Sequence, residues 1–295
     1  MKKTLLLASA CLMLTGKTMC AQATPGSRTA AGHGFPATAY SDNIAQEDPP
    51  AGQNKPLTHR TKLGNSKDSR VIITMYNSGV KIVGHNSDEV VIEAAAYEAP
   101  PERARGLKPL YNQAEDNTGF GLAVTKENNT LRISKASRQD GQYTIRVPKN
   151  AAIVYEETNW TGDDITVADM NGEIELKLNN GSATLTNVSG PVIANTTAGD
   201  IQVKFAGLNQ TKPSAISSVA GAVDIALPAN TKADFKLKTV QGEIYSDFDL
   251  KMAQDTKSNL RKVAGGDTVE GTTNGGGVEI SLYTITGDMF IRKSK

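Results

Sequence analysis

The sequence predicts an all-β protein: a single-domain β-solenoid, β-helix-like and with a right-handed coil, behind a signal peptide and a disordered tether. Three observations point there. Glycine recurs every nine residues at Gly172, Gly181, Gly190 and Gly199. Apolar and polar residues alternate between those glycines, and a second, ungapped repeat runs at an offset of 80 residues.

After each glycine the alternate positions are apolar: Ile174, Leu176 and Leu178; Ala183 and Leu185; Val192 and Ala194; Ile201, Val203 and Phe205. Glu175, Lys177, Thr184, Thr186, Gln202 and Lys204 stand between them. A period of two places one face in a core and the other in water. Ile193 is the exception. Glycine is expected at the corners because positive φ is accessible there without a Cβ, and Asn171 and Asn180 add turn chemistry.

The longer repeat aligns GQYTIRVPKNAAIVYEETNWTG (141–162) with GAVDIALPANTKADFKLKTVQG (221–242). Gly141 falls on Gly221, Pro148 on Pro228, Asn150 on Asn230 and Gly162 on Gly242. Each copy reads as a strand, a proline that removes a ladder donor, a second strand and a glycine corner. Further glycine-led strands start at Gly242, Gly276 and Gly287, and the spacings imply rungs of roughly twenty residues. An antiparallel meander is the competing all-β arrangement. Ser189-Gly190 and Ala198-Gly199 make poor hairpin turns, which favours the solenoid.

Upstream, VIITMY (71–76), VKIV (80–83) and VVIEA (90–94) are β-branched runs. GLAV, LRI and YTIRV extend the pattern to Val147. The one candidate short helix lies around Lys251 to Val263. Residues 24–70, rich in Pro, Gly, Ser, Thr and Asn, offer too little apolar surface to offset ordering entropy and are expected to be a disordered linker. The repeat domain is expected over 71–295.

The first 23 residues, MKKTLLLASACLMLTGKTMCAQA, join a basic start, a short apolar run and an Ala-Gln-Ala triplet, as an export signal does. Lipid attachment at Cys20 is disfavoured by Lys17, Thr18 and Met19 before it. Both cysteines, Cys11 and Cys20, fall in this segment, so the exported chain would have no thiol. Losing Lys2, Lys3 and Lys17 from 32 basic residues against 31 acidic ones moves the formal charge from +1 to −2. That balance gives no electrostatic draw toward nucleic acid or anionic lipid, and no later stretch is apolar enough to span a membrane as a helix.

GDDITV, GEIEL, GPVIANTTAGDIQVKF, the VPKN and LPAN stops and the terminal GDMFIRK together resemble a bacterial family of exported proteins proposed as adhesins. That family is a domain of unknown function built from short β-strand repeats. RGLKPLYNQAEDNTGFGL (105–122) is similar to an insertion in its Bacteroides-like members. The resemblance spans about 71–295. It implies a solenoid in the cell envelope, an adhesive role and no catalytic residues.

Two segments hold candidate sites. The long loop EAPPERARGLKPLYNQAEDNTGFG (98–121) carries Arg103, Arg105, Lys108, Tyr111, Asp116 and Asn117 as candidate ligand contacts, since long loops on rigid scaffolds often carry binding function. Its structural alternative is a cap that packs Leu107, Leu110 and Tyr111 over an open end of the stack. The second segment, EETNWTGDD, gathers Glu156, Glu157, Asp163 and Asp164 beside Trp160, a pattern that polysaccharide-cleaving β-helices could use. No calcium-loop spacing accompanies them; Gly199-Asp200 and Gly287-Asp288 only partly match a calcium-binding roll. His33, His59 and His85 lie in dissimilar contexts, against a metal cluster or a Ser-His-Asp arrangement.

The expectation is a non-enzymatic envelope protein without cofactor, located in the periplasm, at the outer-membrane surface or outside the cell. Its partners would be a glycan, a matrix protein or another envelope component. A polysaccharide lyase or hydrolase and a self-assembling structural protein are the alternatives. Gly162, Gly172, Gly181, Gly190, Gly199, Gly221, Gly242 and Gly287 are expected as structural corners.

Overall fold

The computed structural model describes residues 57–97, 99–107, 109–110, 114–252 and 267–294. The expected signal segment and the tether up to residue 56 lie outside the described residues. At the amino-terminal end are β1 (Leu57–Lys62), β2 (Arg70–Met75), β3 (Ser78–His85) and β4 (Glu89–Tyr97). After a loop containing one turn of 3-10 helix, Glu102–Ala104, come β5 (Leu122–Glu127), β6 (Thr130–Lys135), β7 (Gly141–Pro148), β8 (Ala152–Glu157) and β9 (Ile165–Ala168). The regular stretch is β10 (Ile174–Asn180), β11 (Ala183–Val188), β12 (Val192–Ala198), β13 (Ile201–Phe205), β14 (Ser214–Ala220) and β15 (Val223–Leu227). β16 (Ala233–Thr239), β17 (Ile244–Ser246), β18 (Lys251–Met252), β19 (Asp267–Thr273), β20 (Val278–Thr284) and β21 (Met289–Lys293) complete it.

Strands alternate between two sheets. One runs β1-β4-β7-β3-β9-β11-β13-β15-β21-β17, the other β18-β19-β16-β20-β14-β12-β10-β8-β2-β6-β5. From β8 to β15 each rung gives one strand to each sheet and pairs in parallel with the rung before it, Ile174 opposite Val192 and Ala183 opposite Ile201. Parallel pairing between successive rungs makes this a two-faced solenoid; hairpin-linked neighbours would pair antiparallel. All of the inward positions read from the alternation are buried, from Ile174 through Phe205. Ile193 faces outward and is 37% exposed, between Glu175 and Ala215 on the flanking strands.

The glycine beat has a different cause from the one its spacing suggests. Among the corner glycines, positive φ occurs at Gly199 (+134°) and Gly221 (+158°). Elsewhere the requirement is close approach. A Cβ on Gly190 would overlap the carbonyl oxygen of Gly172, and one on Gly287 would overlap that of Gly221. The glycines stand in two files, 172–190 and 181–199–221–287–242, each member pressed on the backbone of the rung beneath. Gly162 is the exception: the Glu157 carboxylate fills the space its Cβ would need.

Two assignments differ from the sequence expectation. Leu57–Lys62 forms β1, paired antiparallel with β4, so strand structure begins before residue 71. Backbone ladder bonds hold β1, since none of its side chains is buried. Lys251–Met252 is strand, and the rest of the expected helix lies outside the described residues. The last strand of the chain, β21, is not a sheet edge: it lies between β15 and β17.

The sheet order is not the chain order at either end. β2 and β3 occupy the rung between β6/β7 and β8/β9, and β20 and β21 occupy the rung between β14/β15 and β16/β17. Among the steps that pass over a rung are β7 to β8 and β15 to β16, the two copies of the repeat at 141 and 221. Each turns alike: the Pro148 carbonyl accepts the Ala151 N–H at 3.0 Å, and the Pro228 carbonyl accepts the Thr231 N–H at 2.9 Å.

Candidate functional site

The 99–121 loop leaves β4 and returns into β5, at the end of the stack where β5 and β6 form an antiparallel hairpin. Its return is fixed by two side chains. The Asp116 Oδ1 accepts hydrogen bonds from the Thr118 N–H, the Thr118 hydroxyl and the Gly119 N–H, each at 2.9 Å, and Oδ2 accepts the Gly121 N–H at 2.8 Å. Asn117 mimics a ladder partner for Val124, donating from Nδ2 to its carbonyl at 2.8 Å and accepting its N–H at 2.9 Å. Both residues are therefore occupied in shaping the loop. Thr118 and Gly119 turn the chain so that Phe120 closes the core, 1% exposed.

Under the loop lies a cleft of about 670 Å³, lined by Tyr97, Pro100, Ala104, Leu107, Pro109, Ala114, Glu115, Asp116, Ala136 and Ser137. Its volume falls in the range of ligand pockets, and its mix of apolar walls with a few convergent polar groups is typical of them. Tyr97 bonds Ser137 across the floor; burial raises the phenol pKa above its ordinary value, the Ser137 bond opposes that and the Asp116 charge adds to it. Gly121 is required here, since a Cβ would press on Tyr97 and Ser137.

Beneath the floor, alternation in LRISK turns Leu131, Ile133 and Lys135 inward. Lys135, 2% exposed, donates to the Tyr143 hydroxyl at 3.0 Å, which donates to the Phe120 carbonyl at 3.0 Å. Burial lowers the Lys135 pKa to about 8, with the Asp140 charge opposing, and raises that of Tyr143. The chain of bonds ties β6, β7 and the loop return together.

The candidate residues separate. Asp116 lines the cleft; Asn117 supports its rim. Arg103 is exposed and outside the lining, and Arg105 pairs with Glu102 at 3.4 Å in solvent. Lys108 and Tyr111 lie outside the described residues. The capping role expected of Leu107 and Leu110 is not theirs, at 72% and 90% exposed; Phe120 performs it. Tyr97, Ser137 and the Lys135–Tyr143 pair were missed, and the inward lysine of LRISK is the one signal that the alternation offered.

The acidic segment does not converge. Glu157 is buried, and its Oε2 accepts the N–H groups of Asn179 (2.6 Å) and Asn180 (3.0 Å). The Asn179 and Asn180 side chains in turn donate to the Asn159 and Trp160 carbonyls, at 3.1 and 3.3 Å, and hold the corner from 158 to 162 in place. Glu156 faces outward opposite Lys177. Asp163 accepts from Gln142 at 3.3 Å, and Asp164 accepts the Ser182 N–H at 2.8 Å. Trp160 is exposed. Among the described residues no three His, Cys, Asp or Glu side chains are grouped to hold a metal ion, and no helix is long and apolar enough to cross a membrane.

Stacked parallel rungs with glycine-filed corners define the class: a β-solenoid. Within it, residues 164–292 match the model of the Toastrack DUF4097 family, which takes in the chain from β9 to β21. The resemblance expected from the repeat motifs is to this family. No curated protein matches the chain in sequence. Among solved structures, a proposed cell adhesion protein from Clostridium sporogenes is 11% identical, with a TM-score of 0.40 over 81% of this chain and 100% of that one. A proposed adhesin from Bacteroides fragilis is 13% identical, with a TM-score of 0.34 over 82% and 98%. One from Parabacteroides merdae is 8% identical, with a TM-score of 0.26 over 83% and 98%.

Proposed function

We propose that this chain is a non-enzymatic, exported protein of the cell envelope that acts as an adhesin-like binding scaffold. The cleft beneath the 99–121 loop carries the reading. It has a volume of about 670 Å³, it lies on a loop inserted into an otherwise regular stack, and a loop of this kind is where a rigid scaffold can vary its contacts. Among a glycan, a matrix protein and an envelope component, a glycan fits the lining best. Tyr97 and the prolines offer apolar surface to the C–H face of a sugar, while Glu115 and Ser137 offer acceptors to its hydroxyls.

The test is a glycan and matrix-protein array probed with the full chain, then titration of any hit against Tyr97→Ala and Glu115→Gln. Loss of binding of tenfold or more, with unchanged circular dichroism, is the expected result. Binding that ignores both substitutions, or turnover of an acidic polysaccharide, would overturn the reading. Protease shaving of intact cells, followed by detection of the chain, tests the location.

A further inference from the structure

One end of the first sheet carries an interrupted stack. Asp224, Phe290 and Tyr245 are in register on β15, β21 and β17. The Tyr245 and Phe290 rings are stacked, 5.4 Å between centroids and 9° between planes. On the other side of Phe290 the Arg292 guanidinium lies 5.0 Å from the ring centroid, held there by Asp224 at 3.0 Å. The order is carboxylate, guanidinium, ring, ring. Beyond Tyr245 the sheet ends, because β17 is its last strand among the described residues, and Tyr245 is 52% exposed.

The opposite end of the same sheet presents β1, also a terminal strand. Its direction follows from two antiparallel pairings, β1 with β4 and β4 with β7, so it runs the same way as β7, β3 and onward to β17. Thr58 and Lys62 lie opposite the half-buried Glu93 and Glu89, while Arg60 lies opposite the buried Val91 and pairs with Glu89 at 4.0 Å, its side chain still largely exposed. β1 reads LTHRTK, with no acid; the stretch around β17 reads GEIYSDFD, with no base. The two edge strands are opposite in charge and parallel in direction, the acids beside β1 being Glu89, paired with Arg60, and Glu93, paired with Arg146.

We infer that the β17 edge receives the β1 edge of a second copy of this chain, Arg60 of that copy covering the open face of Tyr245 as Arg292 covers Phe290. Leu57, exposed on β1, would meet the half-buried Ile244. The contact pairs different surfaces, so it does not close on itself and adds copies head to tail. Because exposed charges supply part of it, salt weakens it. An arginine placed on an aromatic face gives the contact its register.

Sedimentation velocity on the full chain over a concentration series tests this. Association that grows with concentration and falls with salt is expected. Arg60→Glu blocks one end and Tyr245→Lys the other. Each variant alone should be monomeric with unchanged circular dichroism and melting temperature, while an equimolar mixture should stop at a dimer, since one intact end of each kind remains. A monomeric unmodified chain at every concentration overturns the inference. So do variants that assemble as the unmodified chain does, or a mixture that stays monomeric while the unmodified chain associates.

Discussion

The segments 141–157 and 221–239 make the same local path: strand, proline-led turn, strand in the other sheet. Both step over a rung, yet the rung is filled from opposite directions in the chain. In the first copy the filler, β2 and β3, lies upstream; in the second it is β20 and β21, downstream. The fillers themselves are alike, VIITMY followed by Gly79 and VEISLY followed by Gly287. The difference teaches that the repeat encodes a skipping step, and that the space it leaves is specified separately by a strand pair shaped to be bonded on both edges. Upstream, the filler is synthesised before the gap. Downstream it comes last, and β15 cannot meet β21 until residue 289 has been made.

The largest expected effect follows from that asymmetry. Deleting residues 278–295 removes four core side chains, Ile280, Leu282, Met289 and Ile291. At about 1.5–3 kcal/mol each, the loss is about 6–12 kcal/mol, on the scale of a whole domain's stability. Hydrogen exchange should show protection lost across 233–252 and kept across 165–205. If 233–252 stays protected, the skipped rung is not what joins that end to the stack.

Next in size are the glycine files. Gly287→Ala places a methyl against the Gly221 carbonyl and should cost about 1–3 kcal/mol in chemical denaturation, as overpacking does. Gly190→Ala should cost a similar amount in the regular stretch. Gly181→Ala should cost less, because its nearest backbone oxygen, that of Asp163, stands 2.8 Å from the added carbon. Gly207→Ala, with open space around it, should be near neutral. Equal costs at all four positions would mean that close approach is not the reason for the beat.

A smaller effect distinguishes the rung ends. The last inward residue of β14 is Ser218, bonded to the Gly199 carbonyl; in β6 it is Lys135. The folded state favours neutral Lys135, whose pKa of about 8 lies below the ordinary 10.5. The amine is charged in both states below pH 8, where its burial cost is felt in full, and the cost is relieved as pH rises from 8 toward 10.5. Melting temperature should therefore rise between pH 7.5 and 9.5, and Lys135→Met should be more stable at pH 7 and lose that rise. A flat profile shared by both proteins would contradict the assignment. The smallest effects are expected from Pro148→Ala and Pro228→Ala, each within about 1 kcal/mol and alike in the two copies. A clear inequality in thermal unfolding would show that the two turns are not equivalent.

How much was legible varies by feature. Every residue that alternation named as inward from Ile174 to Phe205 is buried, because the geometry of a strand fixes which side chains share a face. Val188, beyond a register shift after Thr186, and Thr196 are buried too and lay outside that reading. The corner glycines were visible as a spacing, but their cause was not: the obstructing carbonyl belongs to another rung, about eighteen residues away at Gly190. The loop was visible as an irregularity. Which of its side chains face a cleft was not, since Asp116 and Asn117 turn back on their own backbone while Tyr97 and Ser137 arrive from β4 and the turn after β6.

The sequence by itself determined the all-β class, the buried face and the rung length, because these depend on backbone periodicity and on residues near one another in the chain. Tertiary structure alone decided the rung order, the Tyr245 end and the cleft. Pairing between strands is made by backbone groups that every residue possesses, so a strand's own sequence says that it will pair and leaves its partner to be settled by which edges are still open.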